Sequence, residues 1–81
     1  MLSELVNTDK KIVGTKQVLK ALESKTAKTI YLAQDIDSAL LAKITDAANA
    51  VHCDLVKVET MEQLGKACGI QVGAAVAAIL K

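Results

Sequence analysis

KIVGTKQVLKALES, residues 11–24, changes its hydrophobic period halfway along. Lys11, Ile12 and Val13 read as a short strand. Gly14 then lets the backbone turn sharply and approach a ligand closely. Beyond it, Val18, Ala21 and Leu22 fall on one face of a helix over residues 15–24, with Thr15 beside them. At about 100° per residue, Lys16, Gln17, Lys20 and Glu23 share the opposite face. A strand, a glycine turn and an amphipathic helix make the opening of an α/β unit.

The same alternation extends outward in both directions. Residues 2–7 suit a short helix. Ile30, Tyr31 and Leu32, within residues 29–33, read as a buried strand. Residues 37–51 form a helix with Leu40, Ile44, Ala47, Ala48 and Val51 on one side, and Asp35 or Asp37 can cap its start. Residues 54–58 are a further strand. Thr60 and Gln63 have the spacing of a capping box, in which each side chain satisfies a free N–H near a helix start. That helix runs to Cys68, and Gly69 supplies a left-handed stop. Residues 74–80 end the chain as an apolar strand, although their alanines also suit a helix. Strands alternating with helices imply an α/β domain with helices on both faces of a short sheet.

With 81 residues, the expectation is one domain, 1–81. A chain of this size buries only about 60–65% of its unfolded surface, which leaves no room for a deep catalytic chamber. Half of it is apolar (52%), which argues against disorder. Tyr31 is its one aromatic residue and proline is absent, so the core is built from Ala, Val, Leu and Ile. The longest apolar run, residues 73–80, is far shorter than the roughly 18–20 residues of a spanning helix. Residues 1–11 carry Glu4 and Asp9 and lack the apolar segment of a signal peptide. Cys53 and Cys68 are too few for a disulfide framework, and a reducing cytoplasm is the expected compartment.

Charge is unevenly placed. Every basic residue is lysine, and residues 10–28 hold six lysines and one acid, a local +5 against −4 elsewhere. That asymmetry fits a polyanion-binding face, although lysines also solvate helix ends. The helix after Gly14 offers free N–H groups and the positive end of its dipole, a natural phosphate site. Lysines bind phosphate or guanine edges, and glutamine both donates to and accepts from a base. An ordinary amphipathic helix has the same pattern, so this element alone does not decide the matter. Near the C-terminus, Gly69-Ile70-Gln71-Val72-Gly73 places two β-branched residues between glycines in what should be a polar loop. Either they tuck into the core or they meet a base swung out of its stack.

Other reactive side chains lack partners for chemistry. A structural zinc site needs four ligands, usually with a close cysteine pair, and His52, Cys53 and Cys68 do not supply one. A catalytic thiol wants a base and often a helix N-terminus, whereas Cys68 falls at a helix C-terminus. Asp35 and Asp37 are explained by capping. The lack of Phe and Trp argues against RNA modules that stack bases on aromatic rings.

Residues 14–22, GTKQVLKAL, together with residues 64–75, LGKACGIQVGAA, resemble the superfamily of the L7Ae and L30e ribosomal proteins. The likeness covers essentially the whole chain and is greatest to the short members of Gram-positive bacteria. It implies a three-layer α/β/α sandwich with a short mixed four-stranded sheet, and binding to kink-turn RNA. A kink-turn is a sharp bend in duplex RNA held by tandem sheared G·A pairs. In the family the helix of the first motif enters the bend and the later loop covers the unstacked nucleotide. Carried onto this chain, the RNA-binding residues are Gly14, Thr15, Lys16, Gln17 and Lys20, with Ile70, Gln71 and Val72. Archaeal members read Gly-x-Asn-Glu at the turn, with a lysine one turn later. Here Lys16 and Gln17 stand at the Asn and Glu positions and Lys20 keeps the lysine. The expected protein is therefore a monomeric, non-enzymatic binder of structured RNA, in ribosomal or another cytoplasmic RNA, with the ribosome as one setting. No cofactor, metal, DNA or membrane partner is expected. The rivals are a protein-interaction module on the same fold, whose basic face meets an acidic partner, and a small enzyme or ligand-binding domain.

Overall fold

The computed structural model describes residues 2–81 as eight alternating elements: α1 (Ser3–Asn7), β1 (Lys11–Val13), α2 (Thr15–Glu23), β2 (Ala27–Ala33), α3 (Ser38–Ala50), β3 (Asp54–Val58), α4 (Met61–Cys68) and β4 (Val76–Leu80). The strands form one sheet in the order β1-β4-β2-β3. β4 runs antiparallel to both β1 and β2, and β2 runs parallel to β3, so the sheet is mixed. The last segment is a strand rather than a helix because it is paired on both sides, with Ile12 opposite Ala78 and Tyr31 opposite Ala77.

Period-two alternation on the central strands sorts the core into two layers. Ile30 and Leu32 of β2, with Val76 and Ala78 of β4, pack under Val18, Ala21 and Leu22 of α2 and Ile44 and Ala48 of α3. Tyr31, Ala33, Ala77 and Ile79 point to the other face, under Leu5 of α1 and Leu64, Ala67 and Cys68 of α4. Both faces are thus covered by helices, which gives the α/β/α sandwich. Tyr31, the lone aromatic, is 2% exposed at the centre of the second layer. The small alanines of β4 let the helices come close to the sheet beside the larger Ile30, Tyr31 and Leu32 of β2.

The ends of the elements follow local chemistry. The third helix starts at Ser38 because Asp37 caps it, accepting from the Ala39 N–H at 3.4 Å. Thr60 caps α4 through the Gln63 N–H (3.1 Å), and Gly69 ends it in the left-handed region at φ 79°. Among the described residues only the threonine half of the expected capping box is made. β2 starts two residues earlier than its apolar run implies, at Ala27, with a register irregularity between Ala27 and Thr29. β4 starts two residues later than expected, because the Ala74 N–H is given to the Met61 carbonyl instead of to the sheet (3.0 Å).

Candidate functional site

Gly14 adopts φ 116° and ψ 147°, a conformation that side-chain-bearing residues avoid. It is the N-cap of α2, and no side chain caps that helix start. The first N–H groups of α2 therefore remain available to an anion, with the positive end of the helix dipole behind them. Lys16, Gln17, Lys20 and Glu23 are exposed, while Val18, Ala21 and Leu22 are buried, so the amphipathic reading of this helix holds residue by residue. The Gln17 amide folds back over the turn. Its Oε1 occupies the space beside Gly14 that a Cβ would need, at 2.8 Å.

The loop 69–73 does not project freely. It runs back along α4 from the C-terminus of that helix to its start. The Ile70 N–H donates to the Gly65 carbonyl (3.1 Å), the Val72 carbonyl lies against Gly65, and Gly73 packs on Met61. The apolar pair is split by this path. Ile70 is half-buried against the α1/α4 layer, whereas Val72 is 72% exposed and Gln71 is exposed. Ile70 thus tucks inward, and Val72 faces solvent.

A chain of hydrogen bonds joins this loop to α2. The Asp35 carboxylate accepts from the Met61 N–H (2.9 Å), and the Met61 carbonyl accepts from Ala74 (3.0 Å). The Ala75 carbonyl accepts from Ala33 (2.9 Å), and the Val76 carbonyl accepts from Gly14 (3.0 Å). Four connections of the sheet are therefore pinned along one rim, with α2's open N-terminus and the return loop both on it. Two residues here take positioning roles that the sequence pattern does not assign to them. Of Asp35 and Asp37, the two candidates for capping α3, Asp37 does so, and the Asp35 carboxylate instead accepts from the first N–H of α4. Gly65 lies inside α4, where a helix pattern alone gives it no role. The signal was available: glycine costs about 1 kcal/mol against alanine in a helix interior, so its presence there points to a close backbone approach.

The remaining reactive groups lie elsewhere. Burial pushes the Cys53 and Cys68 thiols above their ordinary value, the opposite of nucleophile activation. Cys53 donates weakly to the Ala27 and Lys28 carbonyls (3.6 Å each). No group of three His, Cys, Asp or Glu residues that could hold a metal occurs among the described residues. Nor is any helix among them long and apolar enough to cross a membrane. Tyr31 is also raised, by burial first and by the Glu4 charge second. An acid whose pKa rises on folding stabilises the fold below its unfolded value and withdraws that stability as pH climbs past it. The ordinary values are 9.0 for cysteine and 10.0 for tyrosine. The melting temperature should accordingly hold steady near neutrality and fall progressively above about pH 9. Tyr31→Phe should retain more of its own neutral-pH stability at high pH; thermal melts across the alkaline range check this.

An uncapped cationic helix start and a glycine-bounded loop, held on one rim of a β1-β4-β2-β3 α/β/α sandwich, define a recognisable class of small α/β protein. The Ribosomal protein L7Ae/L30e/S12e/Gadd45 family matches residues 1–81, and the chain belongs to that family. It is 42% identical over 78 residues to the RNA-binding protein YbxF of Geobacillus stearothermophilus, covering 96% of this chain and 95% of the relative. It is 49% identical over 69 residues to an RNA-binding protein of Bacillus pumilus, covering 85% and 84%. The large ribosomal subunit protein eL8 of Haloquadratum walsbyi is 34% identical over 68 residues, 83% of this chain and 57% of that protein. A Giardia lamblia 15.5kD RNA binding protein shares the fold with a TM-score of 0.86 at 22% identity, over 99% of this chain and 68% of that one.

Proposed function

We propose that this protein binds structured RNA through the α2 rim, and that its preferred target is a kink-turn. The observation that carries the reading is the uncapped start of α2, with Gly14 turned open and Lys16, Gln17 and Lys20 exposed around it. The short relatives named as RNA-binding proteins, which align along nearly their whole length, support the same reading. The chain acts as one RNA-binding unit over residues 1–81, in the cytoplasm, on ribosomal RNA or another structured RNA. Gly14 and Thr15 admit the RNA backbone, Lys16 and Lys20 take phosphates or guanine edges, and Gln17 reads a base edge. Val72 shields the unstacked nucleotide, Gln71 stands beside it, and Ile70 anchors the loop from beneath.

The test is a pair of titrations at matched salt, on a kinked duplex and on the same duplex without the bend. The wild-type protein should prefer the kinked RNA. Gln17→Ala should shrink that preference, and Val72→Ser should do so by a few-fold, with binding to the straight duplex barely changed. Equal affinity of the wild type for both RNAs would defeat the kink-turn assignment.

A further inference from the structure

We propose that the α2 face carries an RNA stem away from the bend, and that Lys25 and Lys81 at the far end of that helix take phosphates of the stem. This rests on the RNA reading above and extends it to surface that lies beyond the α2 rim. A groove lined by Ile12, Gln17, Lys20, Ser24, Thr26 and Leu80 follows α2 down its exposed side. It starts at the proposed recognition residues and ends at two chain positions, Thr26 and Leu80, whose neighbours are Lys25 and Lys81. The Lys81 N–H donates to the Thr26 carbonyl (2.9 Å), which ties those two ends together. Beyond them opens a second cleft, of about 170 Å³, whose walls include Lys25, Lys28, His52, Lys81 and one acid, Asp54.

Two features show that these lysines are not consumed by the fold. Among the described residues, Lys25 and Lys81 form no ion pair, whereas Lys28 is held by Glu4 at 2.7 Å. Cations often neutralise the carbonyls of a helix C-terminus, but here local donors do that. Ser24 Oγ reaches the Lys20 and Ala21 carbonyls, Lys25 N–H the Leu22 carbonyl, and Thr26 N–H the Ala21 carbonyl. Lys25 and His52 are moreover the two non-glycine residues with positive φ among those described, at 61° and 55°. Each stands just past the end of a helix, where glycine or asparagine is the ordinary occupant, and both line the cleft. Lys16 and Glu23 lie about 10 Å apart along the α2 axis, at 1.5 Å per residue, and Lys25 follows just past the helix end. A duplex backbone leaving the α2 N-terminus along the groove therefore meets a second cationic station a few nucleotides away.

Two kinked RNAs separate this proposal from the one it rests on: one with stems long enough to pass the length of α2, and one with both stems trimmed close to the bend. The variant is Lys25→Asn with Lys81→Ala, asparagine being chosen because it tolerates positive φ. On the long-stemmed RNA the slope of log affinity against log salt should flatten by about 1.4–1.8 units, at roughly 0.7–0.9 per phosphate contact. On the trimmed RNA the variant should match wild type. Asp54→Asn, which removes the acid of the cleft, should strengthen binding to the long-stemmed RNA alone. An unchanged slope on the long RNA, or equal losses on both, overturns the proposal while leaving the rim assignment intact. If Lys16→Ala fails to weaken binding to the trimmed RNA, it is the rim assignment that falls.

Discussion

Replacing Gly65 by alanine is expected to destabilise the protein and to weaken binding to kinked RNA, although alanine is the better helix former. A Cβ at that position would collide with the Val72 carbonyl oxygen and press on the Val72 carbonyl carbon and Gly73 Cα, at 3.1 and 3.2 Å. These are backbone atoms, so no side chain can rotate out of the way, and the loop 69–73 must move. Overpacking of this kind costs about 1–3 kcal/mol, against up to about 1 kcal/mol recovered from helix propensity. The net loss, up to roughly 2 kcal/mol, lowers the melting temperature by up to about 15 °C in a domain of this size. Because the displaced segment carries Val72, kinked-RNA affinity should fall even at temperatures where the variant is folded. Lys66→Ala, on the exposed side of the same helix, provides the contrast and should leave both quantities near wild type. A raised melting temperature in Gly65→Ala would show that α4 and the loop are not in contact.

Removing Lys16 and Lys20 together should produce the largest change in RNA affinity with the smallest change in stability. Both are exposed, and neither makes an ion pair among the described residues, so the melting curve should hardly shift. If each touches a phosphate, the double alanine variant should flatten the salt dependence by about 1.4–1.8 units of slope. Between 50 and 200 mM salt that corresponds to about a ten-fold smaller loss of affinity in the variant than in the wild type. Titrations at four or five salt concentrations measure the slope directly. A double variant that binds with wild-type slope would move the RNA to another face. One that merely melts earlier would make these lysines structural.

Fold and site were legible in the sequence to different depths. The order of elements was readable because each carries its own local signal, except the last, whose alanines suited strand and helix alike until pairing with β1 and β2 decided it. The break of period at Gly14, the 3.6-residue face of α2, the helix start at Asp37 and the stop at Gly69 all act within a few residues of themselves. The polar face of α2 was readable for the same reason, since helix geometry alone puts Lys16, Gln17 and Lys20 together.

The fates of Ile70 and Val72 were not readable. Period-two and period-3.6 patterns assign faces only inside regular elements, and a loop has no period. Which of the two turns inward follows from the loop's return along α4, where Val72 meets Gly65 and Gly73 meets Met61, seven and twelve residues back. Asp35 was ambiguous in the same way. Its capping chemistry was evident, but its partner, the Met61 N–H, is 26 residues away and is brought near only by the parallel pairing of β2 with β3. Lys25 and Lys81 stand 56 positions apart, and the Thr26–Lys81 backbone hydrogen bond makes them neighbours. Short-range sterics and periodicity are written into neighbouring residues, so the elements up to α4, the α/β alternation and the cationic face of α2 could be read from them. The sheet's strand order, the path of the loop along α4 and the meeting of the two helix ends at one cleft arise from long-range backbone hydrogen bonds. Any pair of strands or helix ends could make such bonds equally well, and only the closed tertiary structure chooses among them.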